Sequence, residues 1–225
     1  MSQLNIKKFI VNPIQENMYV VSDDSLEAVI IDCGAFYPAE RQAVVSYLQT
    51  SRLKPVHLLC THGHLDHCFG NITIYQHYGL KAEVCADDEF LITQLSDQAR
   101  GMFGFQLQDQ EPPVGTYLTG GDTICFGTHT LSVIPTPGHT PGSCVFYCKE
   151  EAVAFTGDTL FRMSVGRTDF ERGSYSDLMQ SMQRLRELLP PETRLLAGHG
   201  PDTTMSAELR DNPYLRMVCR ASECC

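Results

Sequence analysis

The chain has 225 residues, of which 17 are Lys or Arg and 27 are Asp or Glu, for a formal net charge of -10 at pH 7. That acidic balance argues against a nucleic-acid partner, which calls for basic patches. No run of about 18 apolar residues is present, so no membrane-spanning helix is expected, and residues 1–13 lack the apolar core of a signal peptide. The expectation is a cytoplasmic protein with a single domain over residues 1–225.

Residues 4–11, 18–22 and 28–32 read as strands, with a turn at Asn12-Pro13. Residues 38–51 read as a helix opened by Pro38, and 56–60 as a buried strand. Residues 71–78 are helical in pattern, 82–85 form a strand, and 87–100 read as one further helix. Residues 101–114 are irregular and carry Phe103 and Phe105; we expect this segment to edge the functional cleft and touch an apolar part of a ligand. Strands follow within 123–155, then an amphipathic helix at 176–189 stopped by Pro190-Pro191, and a last strand at 194–197. Periodicity alone gives mixed α and β. The ten cysteines show no zinc-knuckle or disulfide spacing and read as reduced, mostly buried small residues. Cys68 stands out because it follows a histidine cluster, and the Cys224-Cys225 tail is expected to be exposed.

The cluster is Thr61-His62-Gly63-His64-Leu65-Asp66-His67, set directly after an apolar strand. Folding has no use for three imidazoles and a carboxylate in six residues, whereas zinc and iron bind both donor types. In extended backbone His62 and His64 project to the same side and can share one metal. Asp66 and His67 diverge and can serve a neighbouring metal; Asp66 is also placed to cap a helix starting near Cys68. The lack of cysteine in the run favours a site open to water over a closed structural zinc site.

More distant donors follow a common pattern. His139, Asp158 and His199 each stand just after an apolar strand-like run and a glycine, in Pro137-Gly138-His139, Thr156-Gly157-Asp158 and Ala197-Gly198-His199. Polar groups at strand ends are where rigid scaffolds build sites. His57 and His129 lack this context.

In this arrangement the chain resembles the metallo-β-lactamase superfamily, through His62-x-His64-x-Asp66-His67 followed by His139, Asp158 and His199. Within it the chain looks most like short glyoxalase II-like hydrolases, through residues 157–161, 164–170 and Asn212-Pro213-Tyr214-Leu215. The resemblance implies an α+β fold, a four-layer αββα sandwich. It also implies two divalent metal ions, zinc first with iron or manganese as alternatives. His62, His64 and His139 would hold one, Asp66, His67 and His199 the other, with Asp158 bridging. A carboxylate bridge suits two-metal sites with ions roughly 3.5–4 Å apart. Asp66 and Asp158 are the acidic groups expected to share in catalysis. Asp32 is expected to support a ligand or the loop backbone from behind.

The implied activity is hydrolysis by a metal-activated hydroxide of a small-molecule thioester such as a hydroxyacylglutathione. A thiol with a pKa of about 8.5 departs without a proton donor, whereas an amine needs one. Two departures from glyoxalase II matter. Those enzymes have an added C-terminal helical domain with basic groups for glutathione, which we do not expect here. They also carry a lysine and a tyrosine where this chain has Arg167 and Asp169. Arg167 can grip a carboxylate bidentately, with Asp169 holding it in turn. The alternative is a persulfide dioxygenase with one iron on His62, His139 and Asp158, since such enzymes share the Gly-Arg-Thr-Asp-Phe stretch of residues 166–170. The sequence leaves the oligomeric state open.

Overall fold

The computed structural model describes residues 3–107 and 112–223, so Cys224 and Cys225 lie outside the described residues. One sheet takes β1 (Asn5–Val11), β2 (Glu16–Ser22), β3 (Glu27–Ile31), β4 (Lys54–Leu59), β5 (Ala82–Cys85) and β6 (Val114–Leu118) in sequence order. The pairs β1–β2 and β2–β3 are antiparallel, and β3–β4, β4–β5 and β5–β6 are parallel. The parallel joins require crossovers, supplied by α1 (Pro38–Thr50) and α2 (Asn71–Tyr78), and between β5 and β6 by α3 (Glu89–Ile92) and α4 (Leu95–Gln98). The second sheet has the order β14-β13-β10-β9-β8-β7, built from β7 (Thr123–Phe126), β8 (His129–Pro135), β9 (Cys144–Cys148), β10 (Val153–Gly157), β13 (Arg194–Ala197) and β14 (Thr203–Thr204). A small hairpin of β11 (Leu160–Phe161) and β12 (Ser164–Val165) follows β10. Helices α5 (Tyr175–Leu188), α6 (Met205–Asp211) and α7 (Pro213–Glu223) complete the described chain.

The period-2 alternation of strand side chains divides the apolar residues among layers. In β2, Tyr19 and Val21 enter the core between the sheets, while Met18 and Val20 enter the core beneath α1 and α2 with Val44, Leu48 and Ile74. In β9, Phe146 and Cys148 join the inter-sheet core, while Val145 and Tyr147 pack under α5 and α7 with Leu178, Met182, Leu185 and Leu215. Helix, sheet, sheet, helix is the result: an α+β, four-layer sandwich. Helix α5 starts where the Ser174 hydroxyl accepts from Asp177 N–H and ends before Pro190. None of the helices among the described residues is long and apolar enough to cross a membrane.

Two expectations are corrected. Residues 87–100 do not form one helix. The chain breaks at Thr93-Gln94, where Gln94 takes φ -128°, and the Gln98 side-chain amide donates to the Leu91 carbonyl in place of a continuing helix turn. Phe103 and Phe105 do not edge the cleft. They pack on Phe69, with ring centroids 5.5 and 6.2 Å away, in a satellite core, and Met102 faces the cleft instead. A glycine-flanked aromatic pair looks exposed in sequence because its partner, Phe69, is remote in the chain. The sequence reading also omitted β6, which forms the edge of the first sheet.

The two sheets are stitched at one end. Cys144 N–H donates to Thr61 C=O at 2.8 Å, and Asn17 N–H to Gly198 C=O at 2.7 Å. The Asn17 side-chain amide donates to Ala197 C=O at 2.9 Å and Gly200 C=O at 2.8 Å. Asn17 is therefore the clasp that ties the β13 end to β2. Replacing Asn17 by Ala removes both side-chain bonds and is expected to cost about 1–3 kcal/mol, read as a lower urea midpoint at unchanged slope.

Candidate metal centre

Each donor named from the sequence stands where a strand of the stitched end runs out. Residues 61–68 leave β4; His139 follows β8, Asp158 follows β10 and His199 follows β13. Gly157 turns Asp158 inward at φ 47°, a left-handed conformation open to glycine. At Gly198 a Cβ would lie 2.4 Å from Asp158 Oδ1 and 2.6 Å from His67 Cε1, so glycine alone lets this loop approach the donors. The turn at Leu65–His67 is a single 3-10 turn, and α2 begins only after Gly70. Asp66 thus caps no helix; its Oδ2 lies 3.2 Å from His199 Nε2 and 3.3 Å from His67 Nε2.

The structure brings all seven donors together in overlapping groups. Ligand atoms of His62, His64 and His139 lie within 4.8 Å of one another, as do those of Asp66, His67 and His199, and of His62, His67 and Asp158. Asp158 stands between the first two groups. Its Oδ1 is 3.3 Å from His67 Nε2, and its Oδ2 is 3.7 Å from His139 Nε2 and 3.8 Å from His199 Nε2.

Neighbouring oxygens fix the ring orientations. His139 Nδ1 lies 2.7 Å from the Arg167 carbonyl and His199 Nδ1 3.2 Å from the Ile14 carbonyl. A carbonyl only accepts, so the proton sits on Nδ1 and the Nε2 lone pair faces the site. His67 Nδ1 meets Asp32 Oδ2 at 3.0 Å, and His62 Nδ1 meets the Thr61 hydroxyl at 3.1 Å. That hydroxyl donates to Asp32 at 2.7 Å, so it accepts from His62. His64 is the exception, pointing Nδ1 toward His139 Nε2 at 2.9 Å.

Such convergence is electrostatically unfavourable by itself. Burial, then the neighbouring imidazoles, hold His62 well below the usual histidine range, and burial takes His64 down to about 3. Burial works against charge on Asp66 and Asp158, yet His67 beside them pulls both below the usual carboxylate range. Burial likewise opposes charge on His67, but Asp66 and Asp158 raise it well above its ordinary value. His62 Nε2, His67 Nε2 and Asp158 Oδ1 are buried with no hydrogen-bond partner. Buried lone pairs aimed at a common point without donors fit divalent cations, and the His/Asp donor set suits zinc, iron or manganese.

Behind the donors lies a supporting shell. Asp32, at φ 54°, accepts from Thr61 N–H and its hydroxyl, both at 2.7 Å, and from His67, so it orients both the loop backbone and one imidazole. Sequence reasoning missed Asp88. Its buried carboxylate accepts from Gly63 N–H at 2.8 Å, Thr140 Oγ1 at 2.7 Å and Gly142 N–H at 2.7 Å, clamping the His62–His64 loop to the His139 loop. Gln98 was missed too; it accepts from Leu65 N–H and donates to Gly63 C=O. Both residues fall in a segment that reads as an ordinary helix, so only the tertiary fold marks them. Glu16 was also overlooked. It is fully buried behind His67, with Oε1 3.9 Å from His67 Nδ1 and neither oxygen hydrogen-bonded, and burial pushes its carboxyl well above the usual range.

Other candidates fall elsewhere. The Arg167 guanidinium is exposed, pairs with Asp169 through two contacts of 2.6 Å and lies 4.5 Å over the Phe170 ring. Cys68 is buried, with its Sγ 3.9 Å from Cys60 Sγ, and joins none of the donor groups. His57 pairs with Glu83, and His129 with Asp23 and Glu151, away from the cluster. The donors open into a cavity of about 400 Å³, walled by Ile14, Met102, Phe161, Val165 and Phe170, with Arg167 at its edge.

Residues 11–199 match the family model of the metallo-beta-lactamase superfamily, and the chain belongs to that superfamily. The fold implies divalent metal binding. A hydroxyacylglutathione hydrolase, GloC, of Haemophilus influenzae is 35% identical over 213 residues, 94% of this chain and 98% of the relative. Among solved structures, TTHA1623 in a di-iron-bound form is 36% identical with a TM-score of 0.82, over 93% of this chain and 100% of that one. The B3 metallo-beta-lactamase BLEG-1 is 33% identical with a TM-score of 0.85, over 94% and 99%.

Asp88→Asn puts an amide N–H against one of the backbone donors that the carboxylate now accepts. Outer partners of this kind are worth about 10–100-fold in metal affinity, so chelator competition should show a loss of that order. Unchanged affinity would remove the clamp from the account.

Proposed function

We propose that this chain is a binuclear metal-dependent hydrolase that cleaves a thioester, of the hydroxyacylglutathione kind. The observation that carries the reading is Asp158, whose two oxygens face donors of both triads. His62, His64 and His139 would hold one cation, and Asp66, His67 and His199 the second, with Asp158 shared. Bound there, the cations would acidify water and polarise a carbonyl. The relative named hydroxyacylglutathione hydrolase and the neighbour in a di-iron-bound form support both halves of the reading.

The chain's own groups do the rest. Asp66 borders the cavity with its Oδ2 3.2 Å from His199 Nε2 and 3.3 Å from His67 Nε2, so its carboxylate is placed to orient water that adds to the carbonyl. Asp32, Asp88 and Gln98 keep the donor loops from relaxing when charge develops. Collapse of the tetrahedral adduct breaks the carbon–sulfur bond and releases a thiolate, which needs no acid. No Lys or Tyr lines the cavity among the described residues, which fits a good leaving group better than an amine. A single-iron dioxygenase on His62, His139 and Asp158 would leave the Asp66, His67 and His199 triad without a role.

Metal-loaded protein should release thiol from S-lactoylglutathione, and Asp158→Ala should lose at least about 100-fold in kcat/KM together with bound metal. Oxygen uptake with glutathione persulfide, and no thiol release, would overturn the proposal.

A further inference from the structure

We propose that a second cavity, beside α3 and α4, is an acyl subsite that admits neutral apolar acyl groups and disfavours anionic ones. The inference rests on the thioester reading and specifies which thioesters the site selects. This cavity has a volume of about 280 Å³ and meets the first at His64, Met102 and Phe170. Phe170 stands over the donors, its ring centroid 4.8 Å from that of His64 and 5.6 Å from that of His139. A carbonyl placed at the donors therefore has one arm on each side of the Met102–Phe170 partition.

The two sides differ in chemistry. The first cavity is also apolar, on Ile14, Phe161 and Val165, but has Arg167 and Ser164 at its edge. The second is walled by Phe90, Leu91, Met102 and Phe170, and among the described residues no Lys or Arg lines it. Its buried polar side chain, Gln98, is already committed: the amide donates to Gly63 and Leu91 carbonyls and accepts from Leu65 N–H. The charges at its rim are the Asp97 and Glu171 carboxylates, with Arg100 paired to Asp97 at 2.5 Å and the Arg172 guanidinium stacked 4.0 Å over Phe90. An acyl chain gains by leaving water for such walls, whereas a terminal carboxylate loses its water there with neutral side chains such as the Gln94 amide, and no lining cation, to answer it. The thiol arm is thereby assigned to the Arg167 side.

The test uses unbranched S-acyl glutathiones from acetyl to hexanoyl, with succinyl as the anionic member, hydrolysed by the metal-loaded enzyme. Burial of each methylene is worth about fourfold, so kcat/KM should rise about fourfold per methylene until the cavity is full. Succinyl should fall below butanoyl. Gly101 lines the second cavity and not the first, and a Cβ there meets nothing within 4 Å. Gly101→Trp should flatten the chain-length series while leaving the acetyl member within about twofold. Gln94→Phe, at an exposed position on the same wall, gives an independent filling variant. Calorimetry with S-hexyl and S-methyl glutathione thioethers, which are not cleaved, should show the hexyl preference in the wild type and its loss in either variant. Hydrolysis with no chain-length preference, with a preference that survives both fillings, or with succinyl favoured, would overturn the subsite and leave the hydrolase reading standing. Absence of thiol release across the whole series would overturn both.

Discussion

A buried meeting of lone pairs is the constraint on which the rest of this structure depends. Five imidazoles and two carboxylates converge with several of their donor atoms sealed from water and unpaired with any hydrogen-bond donor. Polar groups in that state cost free energy unless a partner answers them. Protons alone answer poorly, because burial and mutual repulsion keep His62 and His64 neutral while Asp66 and Asp158 stay ionised. Divalent cations answer every one of these groups at once.

Holding such a cluster open requires that its loops be unable to relax. The fold supplies this by ending strands of both sheets at one place and tying the ends across. Thr61 bonds to Cys144 and Asn17 to Gly198 through the backbone, and Asp88 joins the two loops that carry His62, His64 and His139. Asp32 adds a link from β3 to His67. Apolar burial on three interfaces of the sandwich gives these ties a rigid base. Catalytic and selective features then sit on the open side, where Met102, Phe170 and Arg167 divide the space above the donors.

Much of this was legible in the sequence. Metal-type donors are conspicuous because nothing in packing explains His62, His64, Asp66 and His67 in one run, and glycine before each remote donor marks a strand end. Long apolar strands and the Pro-bounded helix α5 declare themselves by periodicity. Less legible were features whose meaning lies in a distant partner. Asp88 reads as a helix-start carboxylate until the His139 loop is laid against it, and Phe103 and Phe105 read as exposed until Phe69 is placed beneath them. Glu16 gives no signal at all within its strand. Its burial depends on Gly34, whose missing Cβ leaves the space that the carboxylate fills, since a Cβ there would lie 2.3 Å from Glu16 Oε2.

The most direct measurement is a calorimetric titration of the metal-free protein with zinc, paired with its thermal unfolding midpoint. The account predicts two equivalents bound per chain and a midpoint that climbs with free metal, as linkage requires of ligands that bind only the folded state. One equivalent, or none, with an unmoved midpoint would contradict it.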